Sequence, residues 1–193
     1  MHAEIADFLV DCLQNSVEAK AAKVILNYTE YVGDRIEVEI IDNGCGMTPA
    51  ILKKIQDPFF TDGTKHIKRK VGLGIPFLMQ AVSLSGGQFN VESEVGKGTK
   101  FTFSFDLKNI DTPPQGDLSA AALQTMMFDG DFEFEFNRRR IADGQEKGYT
   151  VLRTELIDAL GGDLSDASSI KLAKDFLRSQ EQDLFQGESQ WLK

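Results

Sequence analysis

Between residues 3 and 22 the apolar side chains Ile5, Phe8, Leu9, Cys12, Leu13 and Val17 return at intervals of three and four, the stripe of an amphipathic helix. Asp7, Asp11, Asn15 and Glu18 share another face of it. Two β-rich segments follow, residues 23–31 and 35–41, joined around Gly33-Asp34 as a hairpin. The second runs straight into a glycine-rich turn. Thr48 as N-cap and Pro49 at the first helical position predict a short helix ending near Gln56. Residues 57–70 have no period and hold Pro58, Gly63 and several charges, which predicts a mobile loop. Gly72-Leu73-Gly74 then precedes a second amphipathic helix over residues 76–84, closed by Gly86-Gly87. Strands are expected at 89–94 and 99–107, and the alternation of Phe101, Phe103 and Phe105 with Thr102 and Ser104 buries one face of the latter.

A cluster of breakers, Asp111-Thr112-Pro113-Pro114-Gln115-Gly116, divides the chain. Residues 1–110 are expected to form one domain and 111–193 a C-terminal extension. In the extension, residues 118–127 predict a short helix. Phe132, Phe134 and Phe136, alternating with Glu133 and Glu135, predict a half-buried strand that Arg138-Arg139-Arg140 closes. That strand extends the sheet or forms a docking surface, with packing the stronger reading. Residues 149–160 read as a strand passing into a helix, and 167–184 as a helix leading into a polar tail.

With 193 residues, 41% hydrophobic and 26% charged, the chain is long enough to bury a core. Thirty acidic against 21 basic side chains give a net charge of −9, which argues against a broad grip on nucleic-acid backbone. Cys12 and Cys45 make no disulfide framework, and with His2 and His66 they lack zinc-site spacing. No signal-like start and no apolar run of spanning length occur, so a cytoplasmic protein without direct membrane insertion is expected.

Four segments stand in a telling order: a helix bearing Asn15, Asp42 with its glycine turn, Gly72-Leu73-Gly74 opening a helix, and Gly96-Lys97-Gly98-Thr99 before a strand. Each is weak alone. Together they resemble the GHKL superfamily, the Bergerat-fold ATP-binding proteins that include DNA gyrase, Hsp90, histidine kinases and MutL. The resemblance covers about residues 3–107. Its boxes fall on residues 11–19, on Asp42-Asn43-Gly44-Cys45-Gly46-Met47, on Pro58-Phe59-Phe60, on Gly72-Leu73-Gly74 and on Gly96-Lys97-Gly98-Thr99. It implies an α+β two-layer sandwich with a mixed, mostly antiparallel sheet covered on one face by helices, to which the C-terminal α/β extension is added.

The resemblance also implies roles. The Asn15 amide oxygen suits a Mg²⁺ ion that bridges phosphates. Asp11, one helical turn earlier, matches the position of a water-activating Glu with a side chain one methylene shorter, and a solvated surface acid is its competing reading. Asp42 would accept a hydrogen bond from the adenine amino group, Gly44 and Gly46 would let backbone approach the ring beside Met47, and Thr99 would support the base. Gly72, Leu73 and Gly74 would offer bare backbone to phosphate at a helix start. Lys65, Lys68 and Arg69 make the preceding loop basic, as an ATP lid or a solvated charged loop would be, and Lys70 stands where histidine kinases usually carry another glycine. Phe60 would anchor the lid base by packing.

The second half of this region looks like histidine-kinase catalytic domains, while Asn15-Ser16-Val17-Glu18-Ala19 is more similar to MutL. Only two residues precede the first helix, so a stand-alone domain without the phospho-acceptor hairpin is expected. The resemblance then implies Mg²⁺-dependent ATP binding with γ-phosphate transfer to a partner protein or to water. The alternative is a nucleotide-gated switch with little turnover. ATP and ADP, a protein partner or phospho-acceptor, and a homodimer are the associations considered.

Overall fold

The computed structural model describes residues 4–55, 74–162 and 164–186. Its first helix, α1 (Ile5–Glu18), buries Ile5, Phe8, Leu9, Cys12 and Leu13, as the stripe demands. Its first two free amides donate to the chain 109 residues later, Ile5 N–H to the Pro114 carbonyl (2.9 Å) and Ala6 N–H to that of Gln115 (3.0 Å). Strands β1 (Lys23–Tyr31) and β2 (Arg35–Asp42) form the expected hairpin, with Asp34 N–H closing the turn on the Tyr31 carbonyl at 2.9 Å. A short α2 (Pro49–Ile55) follows, with the Thr48 hydroxyl accepting from Ile51 N–H at 3.4 Å as an N-cap. The loop expected over 57–70 lies outside the described residues.

Beyond it come α3 (Gly74–Leu84), β3 (Phe89–Glu94) and β4 (Gly98–Asp106). Phe101, Phe103 and Phe105 point inward and are buried, as their alternation requires. Asp117 then caps α4 (Leu118–Met126) by accepting from Ala120 N–H. Strands β5 (Glu133–Ala142) and β6 (Gln145–Leu152) and helices α5 (Arg153–Ala159) and α6 (Ala167–Phe185) follow.

Among the described residues, six strands form one sheet in the order β3-β4-β2-β1-β5-β6. Every pairing is antiparallel except β1 with β5, which is parallel. The fold is therefore α+β with a mixed, mostly antiparallel sheet, and α1, α3, α4 and α6 pack in one layer. Inward rows such as Val24, Leu26 and Tyr28 on β1 and Ile36, Val38 and Ile40 on β2 form the core, while the outward rows are half-exposed.

One expectation fails. The arginine run does not close its strand: β5 continues to Ala142, and Arg138 and Arg140 are buried on its inward face. They are accommodated because β1 presents Glu30 in register with Arg140 and α6 presents Glu181. Arg138 Nη2 lies 2.6 Å and Arg140 Nε 3.5 Å from Glu30 Oε2, and Arg138 Nε lies 3.4 Å from Glu181 Oε1. Arg138 also covers the Tyr28 ring at 4.9 Å, and the Tyr149 hydroxyl donates to Glu181 at 2.5 Å.

Candidate functional site

The inward face of the sheet turns polar where β2, β4 and β3 end together. Cross-strand register sets Asp42 opposite Thr99 and Thr99 opposite Ser93, one step beyond the apolar row of Ile40, Phe101 and Val91. Above this polar row a cavity of about 690 Å³ opens, a size suited to a small-molecule ligand. Asn15, Ser16, Glu18, Asp42, Gly46, Met47 and Thr99 line it, with Ile51, Ile55, Ile75 and Phe101 supplying apolar walls.

Asp42 is 5% exposed, and neutral donors hold its carboxylate. Oδ2 accepts from the Ser16 hydroxyl at 2.9 Å and Oδ1 from Gly44 N–H at 2.9 Å. Burial pushes its pKa above the ordinary aspartate value, an effect opposed by the Gly44 amide, the Ser16 hydroxyl and the Thr99 amide.

Backbone crowding explains the glycines around it. A Cβ on Gly44 would sit 2.8 Å from the Ala19 carbonyl oxygen, which also accepts from Cys45 N–H at 2.9 Å. At Gly46 φ is +63°, and a Cβ would stand 2.0 Å from the Glu94 carbonyl oxygen. The turn is thus pressed between the end of α1 and the β3–β4 hairpin, with no space for any side chain at these positions.

Of the residues anticipated from sequence, Asn15, Asp42, Gly46, Met47 and Thr99 come together around the cavity. Gly44 lies behind them, bonded to Asp42. Asp11 is not among the lining residues; it lies against the start of α3, where a Cβ on Gly74 would be 2.3 Å from Asp11 Oδ2. Phe60, Lys65, Lys70, Gly72 and Leu73 fall outside the described residues. Cys12, buried in α1, has its thiol pushed up to about 12 by burial and by the neighbouring Asp11 charge, which leaves it inert. Cys45 is exposed, and both cysteines are free.

Sequence reasoning passed over Ser16 and Ser93. Ser16 is 1% exposed on α1 and reaches the carboxylate that matters most. Ser93 accepts from Met47 N–H at 2.9 Å, donates to the Gly98 carbonyl at 2.9 Å and lies 3.0 Å from Thr99 Oγ1. Each had a signal: a hydroxyl on the apolar side of a helix, and one on the inward side of a strand, where the alternation calls for an apolar residue.

With this geometry established, comparison places the chain. Residues 3–109 match the family described as Histidine kinase-, DNA gyrase B-, and HSP90-like ATPase, and the chain belongs to that family. Among its relatives, the sensor kinase CckA of Brucella abortus is 31% identical over 173 residues, covering 78% of this chain and 18% of CckA. The signal transduction histidine-protein kinase AtoS of Escherichia coli K12 is 32% identical over 110 residues, covering 56% of this chain and 17% of AtoS. The chain thus spans less than a fifth of either relative. In fold it is similar to the N-terminal domain of a DNA repair protein, with a TM-score of 0.51, 14% identity, and coverage of 78% of this chain and 53% of that one. Family membership supports ATP binding and a histidine-kinase-like ATPase character. Among the described residues, no helix is long and apolar enough to cross a membrane.

Proposed function

We propose that the cavity binds Mg²⁺-ATP and that the γ-phosphate passes to a partner protein or to water. The observation that carries this reading is Asp42, a buried carboxylate aimed at an open volume and held, among the described residues, by neutral donors. The surroundings fit an adenine nucleotide: an acceptor at the cavity floor, apolar walls for a flat ring, and a turn in which Gly44 and Gly46 carry no side chain.

Bound ATP supplies a transferable phosphoryl group. Asp42 would accept from the base amino group and Thr99 would support the ring, while Gly44, Gly46 and Met47 shape the turn alongside. Asn15 would offer one oxygen to Mg²⁺. Among the described residues no cluster of three His, Cys, Asp or Glu forms a metal site, which fits an ion that takes most of its ligands from phosphates and water. Asp11, one turn from Asn15 on α1, would hold the proton of the attacking group at a carboxylate oxygen. Gly74 with Gly72 and Leu73 would bring bare backbone to the phosphates, Lys65 and Lys70 positive charge, and Phe60 packing. Residues 1–110 are the nucleotide-binding unit in this proposal, and 111–193 an extension available to a protein partner or a second copy in the cytoplasm. The kinase names of the relatives support transfer to protein.

One observation favours the alternative, an ATP-gated switch with little turnover: Asp11 is packed against Gly74 and does not line the cavity. Incubating the protein with γ-labelled Mg²⁺-ATP, with and without lysate from its source, separates the readings. Label on a protein band supports a kinase, free phosphate an ATPase, and bound but unconverted ATP the switch. Asp42→Ala should abolish all three signals.

A further inference from the structure

Resting on the nucleotide reading, we infer that Ser93 is a specificity-determining residue that fixes the hydrogen-bond polarity of Thr99 and thereby selects a 6-aminopurine over a 6-oxopurine. A serine hydroxyl has one hydrogen to donate and two lone pairs to accept with. Ser93 Oγ stands within bonding distance of three groups: Met47 N–H, the Gly98 carbonyl and Thr99 Oγ1. Met47 N–H can only donate, so it takes one lone pair. The Gly98 carbonyl can only accept, so it takes the single proton. Thr99 must then donate its own hydroxyl proton to Ser93, and what its oxygen turns toward the cavity is lone pairs.

The cavity floor is therefore uniform. Asp42 is an acceptor through its carboxylate, and Thr99, its register partner, is an acceptor because Ser93 makes it one. A base edge with an exocyclic amino group donates to such a floor directly. A carbonyl at the same position meets only acceptors, and a polar edge left unpaired in a buried site is strongly rejected. Ser93 touches no part of the nucleotide in this account; it acts through Thr99 and is a positioning residue. Without it, Thr99 is free to turn its proton into the cavity and receive a carbonyl oxygen.

The test compares binding of ATP and ITP, which differ at the purine 6-position with its coupled N1 proton, to the full chain by titration calorimetry. Wild type should favour ATP. In Ser93→Ala the ATP-to-ITP affinity ratio should fall about tenfold, through gained ITP binding as well as lost ATP binding, and Ser93→Thr should restore it. A merely structural serine would weaken both nucleotides equally and leave the ratio unchanged, which overturns the inference. If Ser93→Ala does not fold, Thr99→Val serves: it removes the acceptor while Ser93 still ties Met47 to Gly98, and the ratio should drop as far. An unchanged ratio there also overturns it. Binding of ATP without preference over ITP in wild type defeats this inference alone, whereas binding of neither defeats the nucleotide reading and the inference with it.

Discussion

The inward face of the sheet is apolar through its middle and polar at two opposite corners, and the corners treat a buried acid in opposite ways. At the end of β2, Asp42 is surrounded by a hydroxyl and amides and opens on a cavity. At the end of β1, Glu30 lies between Arg138 and Arg140, with Glu181 and Tyr149 closing the cluster from α6 and β6. Burying a charge costs several kcal/mol, about as much for one corner as for the other. Among the described residues, only the second corner supplies counter-charge. We read the first as an acid kept ready for a ligand and the second as a fastening between β1, β5 and α6.

The largest effect should come from breaking the fastening. Arg138→Met leaves buried Glu30 and half-buried Glu181 short of charge, and urea unfolding should show a loss of about 3–5 kcal/mol. Next comes Gly46→Ala, which forces a left-handed residue to carry a Cβ against the Glu94 carbonyl. It should cost about 1–3 kcal/mol by the same measurement and, unlike Arg138→Met, abolish nucleotide binding in the protein that still folds.

Asp42→Asn should do the reverse and leave stability unchanged or raised at pH 7, because it removes a buried charge whose partners among the described residues are neutral donors. The pH dependence follows in sign. The folded pKa of Asp42 is raised above its unfolded value, so the native state binds the extra proton first as pH falls. Its destabilising contribution, complete at neutral pH, is relieved through that window, and the stability advantage of Asp42→Asn should shrink as the solution is acidified. An advantage that grows on acidification would mean that the carboxylate is compensated after all. Smallest is Tyr28→Phe, which removes one hydrogen bond to Gln115 Oε1 (3.0 Å) at the fastened corner and should cost about 1 kcal/mol without touching nucleotide affinity.

Local periodicity made most of the fold legible: the stripe of α1, the β1–β2 hairpin around Gly33 and the phenylalanine alternation of β4 all appear where their residues predict them. Pairing between distant strands does not show in local pattern. That β5 lies parallel to β1, with Arg140 beside Glu30, follows from two stretches 110 residues apart, and without the partner an arginine run reads as a strand end. The site divides in the same way. Asp42 and the glycines are legible because close backbone approach leaves few alternatives. Ser16 and Ser93 are ordinary small residues whose roles exist only once a carboxylate and a threonine are brought beside them. Asp11 shows the limit from the other side, since helical spacing puts it one turn from Asn15, yet it lies against Gly74 at the start of α3 and is not among the residues lining the cavity.

The most direct measurement is titration of ATP with Mg²⁺ into wild type, Asp42→Asn and Tyr28→Phe, with urea stability taken on the same preparations. Wild type and Tyr28→Phe should bind alike, while Asp42→Asn should lose about a hundredfold in affinity and keep its stability, because the acid serves the ligand and not the fold. Asp42→Asn that binds as wild type does, or that loses binding only in step with stability, would contradict the account.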